Sequence, residues 1–320
     1  MRRGVVAAGM MGAAISWSIA ACGSTKIPSS TANKSTSAQV VYAGSLAYIN
    51  DHVLGPGFQK STGIQYQGRG GGSFAMAQQL SSHLIPGNVF ESIGTAPILK
   101  LEPRQTTWAV RLSSTPLVIA YNPKSRYASY FKKVADGQVS YKAFFEFLAT
   151  HPLHLGRTNP ETDPQGQAFY EMVELATLRY HLPSNTVKKI LGSWNNPKQV
   201  YSEEGLPTEL ESGGLDLGSA FLPEAIQSHL DYIPLPGYLN FSVSSDAGWY
   251  AKAHITMPTG TVSGGVLAIW ATVLNKSQAG TRYVHYLLTH EKVLTRYGYP
   301  TLSPVIQGRV RDVPRLIRRG

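Results

Sequence analysis

Ala43-Gly44-Ser45-Leu46 and Gly70-Gly71-Gly72-Ser73-Phe74 are the two stretches of this sequence that decide the fold. Each follows a short apolar or strand-like segment and precedes residues with the apolar spacing of a helix. Glycine lets the backbone approach a ligand closely, and serine can cap the helix that follows. Because a helix begins with free N–H groups and about half a positive charge, two such ends aimed at one point predict an anion-binding site.

Strands and helices alternate around these turns. The predicted strands are residues 40–42, 64–66 and 89–93, with helices between them. Gly55-Pro56-Gly57 is expected to interrupt or end the first helix. Such alternation favours a mainly parallel sheet with helices on both faces. In sheets of this kind ligands bind beyond the carboxyl ends of the strands, where Ser45 and Ser73 fall.

The first 22 residues are predicted to be an export signal outside the fold. Arg2 and Arg3 precede an apolar stretch of small residues, and the segment ends at Cys22, the only cysteine. The ending Ile-Ala-Ala-Cys resembles the bacterial lipobox. This implies lipidation of Cys22 and a location on the outer face of the cytoplasmic membrane. An ordinary signal peptide with an incidental cysteine is the alternative.

Residues 23–39 are rich in Ser, Thr, Asn and Lys and are predicted to be a flexible tether. With a single cysteine no internal disulfide can form, so the remaining chain of about 280 residues must be stabilised by an apolar core. That length suits two lobes and a monomer.

The formal net charge of +10 falls to +8 without Arg2 and Arg3, because 27 basic residues then face 19 acidic ones. For an exported protein this charge disfavours nucleic acid as a partner. It fits attraction to an anionic membrane surface or steering of a small anion. Five arginines near the carboxyl end are predicted to belong to a solvated tail: Arg309, Arg311, Arg315, Arg318 and Arg319.

The second part of the chain has the same mixed character. Strands are predicted at 117–121, near 217–221 and at 232–236, and helices at 141–150 and about 278–297. Asp163 is a preferred N-cap and Pro164 suits the first helical position, so another helix is predicted to begin there.

Seven segments, in order, resemble the substrate-binding proteins of molybdate/tungstate ABC importers, in particular the archaeal-type branch. They are Ala-Gly-Ser-Leu at 43–46, Gly-Ser at 72–73, Asn-Val-Phe-Glu-Ser at 88–92, Thr-Asn-Pro-Glu-Thr-Asp-Pro-Gln-Gly at 158–166, Glu-Ser-Gly-Gly-Leu-Asp at 211–216, Tyr-Ile-Pro-Leu-Pro-Gly-Tyr-Leu-Asn-Phe-Ser at 232–242 and Gly-Tyr-Pro-Thr-Leu-Ser-Pro-Val at 298–305. Asn88 stands where the family usually has aspartate.

The resemblance implies an α/β, type II periplasmic-binding-protein fold, with two α/β lobes joined by two crossing segments and the ligand cleft between them. The crossings are expected near 110–115 and 232–240. Lobe one is then residues 40–112 plus 241–313, lobe two is 113–240, and 314–320 is a basic tail. A hinge motion would close the cleft over the ligand, a shape that a membrane permease can recognise.

The implied ligand is a small oxyanion, molybdate or tungstate, held by hydrogen bonds. Ser45 and Ser73 are the expected donors, with the N–H groups of Gly44 and Gly72 nearby; simple helix capping by the serines is the alternative.

In the archaeal-type family, carboxylates ligate the metal centre of the bound oxyanion. Asp163 matches one of them, or is a helix N-cap without ligand contact. The second is expected directly after the strand at 219–221, where this chain has Leu222-Pro223 and places Glu224 two residues later. Tyr121 and Arg69 are further cleft candidates. No cofactor is implied.

Three other functions compete with this interpretation. The first is a receptor for sulfate, phosphate or another small anion in the same fold. The second is an exported hydrolase, but the sequence has no Gly-x-Ser-x-Gly elbow and no His-Glu-x-x-His zinc helix. The expected role is therefore binding for transport and not catalysis. A receptor that signals to a membrane partner is a third possibility.

Overall fold

The computed structural model describes residues 37–300 and 302–318. Residues Ser35–Gly320 form one compact unit. The predicted signal, Cys22, most of the predicted tether and Arg319 lie outside the described residues. Within the described part, no helix has the length and apolar character needed to cross a bilayer.

The strands are β1 (Ser37–Ala43), β2 (Gln65–Gly71), β3 (Val89–Ile93), β4 (Trp108–Ser114), β5 (Leu117–Tyr121), β6 (Leu155–Thr158), β7 (Val200–Tyr201), β8 (Leu217–Phe221), β9 (Asp231–Pro234), β10 (His254–Met257), β11 (Gly260–Ser263), β12 (Ala268–Val273) and β13 (Ile306–Gly308). β1 begins at Ser37, so the last three residues of the predicted tether belong to a strand.

The α-helices are α1 (Ala47–Ile49), α2 (Gly55–Thr62), α3 (Ser73–Ser81), α4 (Ala96–Leu99), α5 (Ala128–Ala135), α6 (Tyr141–Thr150), α7 (Pro164–Arg179), α8 (Thr186–Leu191), α9 (Gly205–Ser212), α10 (Leu222–Gln227), α11 (Gly237–Asn240), α12 (Ala247–Tyr250), α13 (Gln278–Thr289), α14 (Glu291–Arg296) and α15 (Arg315–Arg318). Short 3-10 turns cover Gly44–Leu46, Ser244–Asp246 and Val310–Asp312, and a π-helical turn covers Asn50–Leu54. The predicted helix at 141–150, the strand at 117–121 and the helix that begins at Pro164 are confirmed.

Sheet one has six strands in the order β13-β4-β12-β3-β1-β2. β1 is parallel to β2 and β3, whereas β12 is antiparallel to β3 and β4, and β13 is antiparallel to β4. The prediction of a mainly parallel sheet is therefore wrong for half of it, because an apolar run such as β12 carries no sign of its direction. The carboxyl ends of β1, β2 and β3 lie at one edge, called here the carboxyl edge; the opposite one is the amino edge.

Sheet two has five strands in the order β7-β6-β8-β5-β9. The chain leaves sheet one after Ser114, enters sheet two at Leu117, leaves it at Pro234 and returns to sheet one at Ala268. Two sheets, each with its own helices, thus give a mixed α/β architecture of two lobes. The lobe boundaries drawn from the sequence stay a prediction.

Apolar side chains from both faces of sheet one are buried against helices. Val40 and Tyr42 of β1 pack in one core cluster with Phe58 of α2 and Tyr283 of α13. Val41, the residue between them, packs in a second cluster on the other face with side chains of α3 and α4. This alternation confirms the predicted placement of helices on both faces.

The helical segment that follows the first glycine turn runs from Gly44 to Thr62. The expectation that Gly55-Pro56-Gly57 would interrupt or end it is wrong. The chain widens into the π-helical turn just before these residues, where the N–H of Gly55 bonds to the carbonyl of Asn50. Pro56 then falls in the first turn of α2, where its missing N–H costs little.

Two predictions for the carboxyl-terminal part also need correction. The predicted helix at 278–297 is divided at His290 into α13 and α14. The predicted basic tail carries α15, whose Ile317 is 3% exposed because it packs in the main core, whereas Arg315 and Arg318 are exposed.

Candidate ligand-binding cleft

The two lobes meet where the carboxyl edge of sheet one faces the start of α7. The N–H groups of Phe74 and Ala75, in the first turn of α3, donate to the carbonyl of Thr162 at 3.1 and 3.3 Å. A Cβ on Gly72 would lie 2.6 Å from that same oxygen, so glycine is needed for this approach. The cleft is closed here. Two N–H groups at the start of α3, where the sequence predicts an anion site, are therefore bonded to protein in this closed form.

Ser45 lies at the first predicted ligand turn and is buried. Its Oγ makes no hydrogen bond of regular geometry, but it faces the carboxyl group of Glu203 and lowers the pKa of that group. The Ser45 carbonyl accepts a bond of 3.3 Å from the Tyr299 hydroxyl. A Cβ on Gly44 would lie 2.5 Å from Oε2 of Glu203 and 2.6 Å from Oε1 of Glu204. Gly44 therefore allows an acidic loop of lobe two to reach the first ligand turn.

Neither serine caps a helix, so the alternative of simple helix capping is wrong. Ser45 lies inside the 3-10 turn, and no side chain caps that turn. Ser73 is the first residue of α3, and the N-cap position belongs to Gly72, whose backbone is extended. The Oγ of Ser73 instead accepts a bond of 3.3 Å from the N–H of Ile93. Its own proton remains available for donation.

Asp163 is the N-cap of α7, as predicted. Its Oδ1 accepts a bond of 2.8 Å from the N–H of Gln165, and the residue is 4% exposed. Burial raises the pKa of Asp163 to about 7; the bond from Gln165 opposes this effect, and the nearby charge of Glu204 adds to it. Asp163 is therefore held in a place where its charge is poorly compensated.

Glu224 lies in the first turn of α10, close to Asp163. Its Oε2 accepts bonds from the N–H of Phe221 at 3.1 Å and from Nε2 of Gln165 at 3.0 Å. Burial raises the pKa of Glu224 to about 8, against the lowering effect of these bonds. The hydroxyl of Ser219 donates to Oε1 of Gln165 at 2.6 Å, which turns the amide nitrogen toward the carboxyl groups.

Glu203 is the third buried carboxyl group, and the sequence analysis missed it. Its Oε1 lies 3.5 Å from Nε2 of Gln165, while Oε2 is buried without a partner. Burial raises the pKa of Glu203 well above its usual range, and the charges of Asp163 and Glu224 raise it further. Two adjacent glutamates before Gly205 were the only signal, and such a pair usually indicates a solvated loop.

No cation compensates this cluster within residues 37–300 and 302–318. None of the four ion pairs found there involves Asp163, Glu203 or Glu224. In the same part of the chain, no three His, Cys, Asp or Glu side chains are arranged to hold a metal ion. The cluster therefore suits a ligand that brings a positive centre or protons with it.

One candidate from the sequence lies elsewhere. Tyr121 pairs with Leu217, whereas Phe221, beside Glu224, pairs with Leu117 at the other end of β5. Four residues of strand separate these ends by about 13 Å. Tyr121 packs against Phe131, with ring centroids 5.6 Å apart. The cleft thus assembles Gly44, Ser45, Gly72, Ser73, Asp163 and Glu224, but not Tyr121. Arg69 is exposed on β2, and its contact with the ligand stays a prediction.

The chain belongs to the family of bacterial extracellular solute-binding proteins, whose model matches residues 38–300. The type II periplasmic-binding-protein fold is confirmed by solved structures. The Azotobacter vinelandii periplasmic molybdate-binding protein aligns with a TM-score of 0.56 and 16% identity over 83% of this chain and 100% of that one. The sulfate-binding protein SubI of Mycobacterium tuberculosis aligns with a TM-score of 0.53 and 10% identity over 88% and 89%. At these identities the likeness concerns the fold alone.

Relatives in sequence include the molybdate/tungstate-binding protein WtpA of Thermococcus kodakarensis. It is 25% identical over 307 residues, which cover 86% of this chain and 85% of that protein. An uncharacterized solute-binding protein of Saccharolobus solfataricus is 29% identical over 285 residues, 83% of this chain and 69% of that protein. The resemblance inferred from the seven segments is confirmed at the level of the family.

Proposed function

We propose that this protein captures molybdate or tungstate outside the cytoplasmic membrane and delivers it to the permease of an ABC importer. The names of the WtpA relatives support this cargo, and the solute-binding family supports a transport role in place of catalysis. Anchoring through a lipid on Cys22 is part of the proposal. It rests on the lipobox-like sequence, which lies outside the described residues.

The observation that carries the proposal is the meeting of hydroxyl and carboxyl groups in the closed cleft. The Ser45 hydroxyl, which faces Glu203, and the Ser73 hydroxyl can donate to oxo groups. Each hydrogen bond to a charged group contributes about 1.5–3 kcal/mol, so five to seven such bonds would give the roughly −12 kcal/mol of a nanomolar complex.

The carboxyl groups distinguish between kinds of oxyanion. Facing sulfate or phosphate, the ionised carboxylates of Asp163 and Glu224 would repel the ligand, because the sulfur and phosphorus centres of these ions take no further oxygen ligand. Mo(VI) and W(VI) are hard centres that accept carboxylate oxygen. The shared bonds to Gln165 bring both carboxyl groups to one place. We therefore propose Asp163 and Glu224 as ligands of the metal centre of the bound oxyanion.

The test is isothermal titration of residues 35–320, which form a compact unit, with molybdate, tungstate, sulfate and phosphate. Asp163→Asn separates the capping role from the ligand role. Asparagine also caps helices well, so the fold is kept while the carboxylate is removed. We expect Ser45→Ala and Asp163→Asn to weaken molybdate binding at least tenfold. Tyr121→Phe, a control outside the cluster, should bind normally. Binding of sulfate or phosphate in preference to molybdate would refute the proposed cargo.

A further inference from the structure

The amino edge of sheet one brings five separate parts of the chain together. Its backbone bonds run from Asn88 N–H to Gln39 C=O at 2.8 Å and from Leu274 N–H to Asn88 C=O at 3.0 Å. They continue from Asn275 N–H to Gln105 C=O and from Arg309 N–H to Thr107 C=O, both at 2.8 Å. The starts of β1, β3 and β4 and the ends of β12 and β13 therefore share this edge.

Exposed basic side chains cluster where these segments meet, and we call this cluster the basic face: Arg104, Lys276, Arg282, Arg309, Arg311, Arg315 and Arg318. Lys276 and Pro314 line two adjacent surface cavities, one with Arg104 and the other with Arg282. Asp312 is an acidic residue on the basic face. Its carboxylate accepts a bond of 2.7 Å from the Thr107 hydroxyl and lies 3.9 Å from Nε of Arg311. The face is strongly positive.

Exposed apolar side chains accompany the basic face. Leu84 is 74% exposed, more than any other exposed large hydrophobic residue in the described part of the chain, and Val310 and Leu316 are 53% and 42% exposed. Leu84 follows α3 on the side of the amino edge, since Gln105 at this edge bonds to the carbonyl of Leu80 at 2.8 Å. Basic groups interspersed with protruding apolar groups suit an interface that is anionic outside and apolar beneath.

The positions of the first strand and of the cleft indicate what kind of partner the basic face has. Ser37 opens β1 at the same edge, so the chain enters the fold here. The cleft lies at the carboxyl edge, about 20 Å away along the strands. A bilayer against the basic face would leave the cleft open to solvent.

We propose that the basic face is a docking surface for the anionic headgroups of a lipid bilayer, which holds the protein at the membrane while it is not bound to the permease. The interaction needs no lipid on Cys22 and no bound oxyanion. Each Lys or Arg near an anionic surface contributes about fivefold to the binding constant, and salt screens this contribution over about 10 Å at 0.1 M.

The test is sedimentation of residues 35–320 with vesicles of phosphatidylcholine alone or with 30% phosphatidylglycerol, at low and high salt. Without the amino-terminal segment, binding reports the folded part only. We expect binding to the anionic vesicles at low salt and its loss at high salt. The variant Arg309→Gln, Arg311→Gln, Arg315→Gln, Arg318→Gln should bind at least tenfold more weakly.

A control removes the same charge from exposed lysines of lobe two, in the variant Lys124→Gln, Lys133→Gln, Lys188→Gln, Lys189→Gln. It should bind anionic vesicles nearly as well as the unchanged protein. Equal loss in both variants, or equal binding to neutral vesicles, would overturn the assignment, as would no binding at all. Molybdate titration of both variants should be unchanged, so failure of the proposed cargo would show separately.

Discussion

Replacing Glu91 with glutamine should stabilise the protein, and more so as the pH rises. Glu91 lies in β3 and is 2% exposed. Its Oε2 lies 3.4 Å from Nδ2 of Asn50, while Oε1 is buried without a partner. Burial raises the pKa of Glu91 from 4.5 to about 8, only partly opposed by Asn50. The folded protein therefore keeps this carboxyl group neutral at pH 7.

The direction in which the stability changes with pH follows from proton linkage. An unfolded chain releases the proton near pH 4.5, whereas the folded chain holds it to about pH 8. The stability associated with this group is thus fully present below pH 4.5 and is lost as the pH rises to 8. A shift of this size costs about 1 kcal/mol at pH 5 and about 3 kcal/mol at pH 7. Glutamine has nearly the same shape and carries no such penalty.

The assay is urea unfolding of residues 35–320 and of the Glu91→Gln variant at pH 5, 6, 7 and 8. The difference in free energy of unfolding should grow by about 2 kcal/mol between pH 5 and pH 7. Glu211→Gln, at an exposed glutamate, is the matched control and should show no such trend. A difference that stays constant with pH would mean that Glu91 is ionised in the folded protein, and the reasoning would fail.

Four further predictions concern the cleft and one helix. Gly72→Ala should weaken molybdate binding more than tenfold in calorimetry, because its Cβ would lie 2.6 Å from the backbone carbonyl oxygen of Thr162 in the closed form. Ser219→Ala leaves the buried Oε1 of Gln165 without its donor, and should cost about 1–3 kcal/mol in urea unfolding and weaken binding. Coordination requires ionised carboxylates, so the raised pKa of Asp163, about 7, means that molybdate affinity should rise between pH 6 and pH 8; a fall would contradict metal coordination. Ser140→Ala removes the cap of α6 and should cost about 1 kcal/mol of stability without changing affinity.

The sequence predicts most of the elements that build the site, because their signals are local. The glycine turns, the strand at 117–121 and the start of α7 at Asp163-Pro164 each follow from neighbouring residues. The direction of β12 and the passage of the helix through Pro56 are not local. The direction of β12 depends on how the chain returns from sheet two. The passage of the helix through Pro56 depends on the π-helical turn at Asn50–Leu54, which the proline alone does not predict.

The acidic cluster was harder to predict for a different reason. Glu203 and Glu224 are distant in sequence and join only through Gln165, whose amide bridges them. Gln165 stands in the segment that resembles the family, but the sequence gives no sign that Ser219 fixes its orientation. Burial of a charged side chain against a chain segment 38 or more residues away leaves no periodic pattern to detect.

The division of the groups between the lobes argues that ligand binding and closure are one event. Lobe one contributes Ser45 and its glycine, and the carboxyl groups come from Asp163, Glu203 and Glu224 of lobe two. Closing an empty cleft removes three carboxyl groups from water without a cation, so it must leave them neutral or cost free energy. Molybdate and tungstate are themselves dianions, so closure over them is favourable only if the metal centre accepts carboxylate oxygen and the hydroxyl groups donate to the oxo groups. Because these bonds form only when both lobes contact the ligand, we expect the ligand to shift the population toward the closed form.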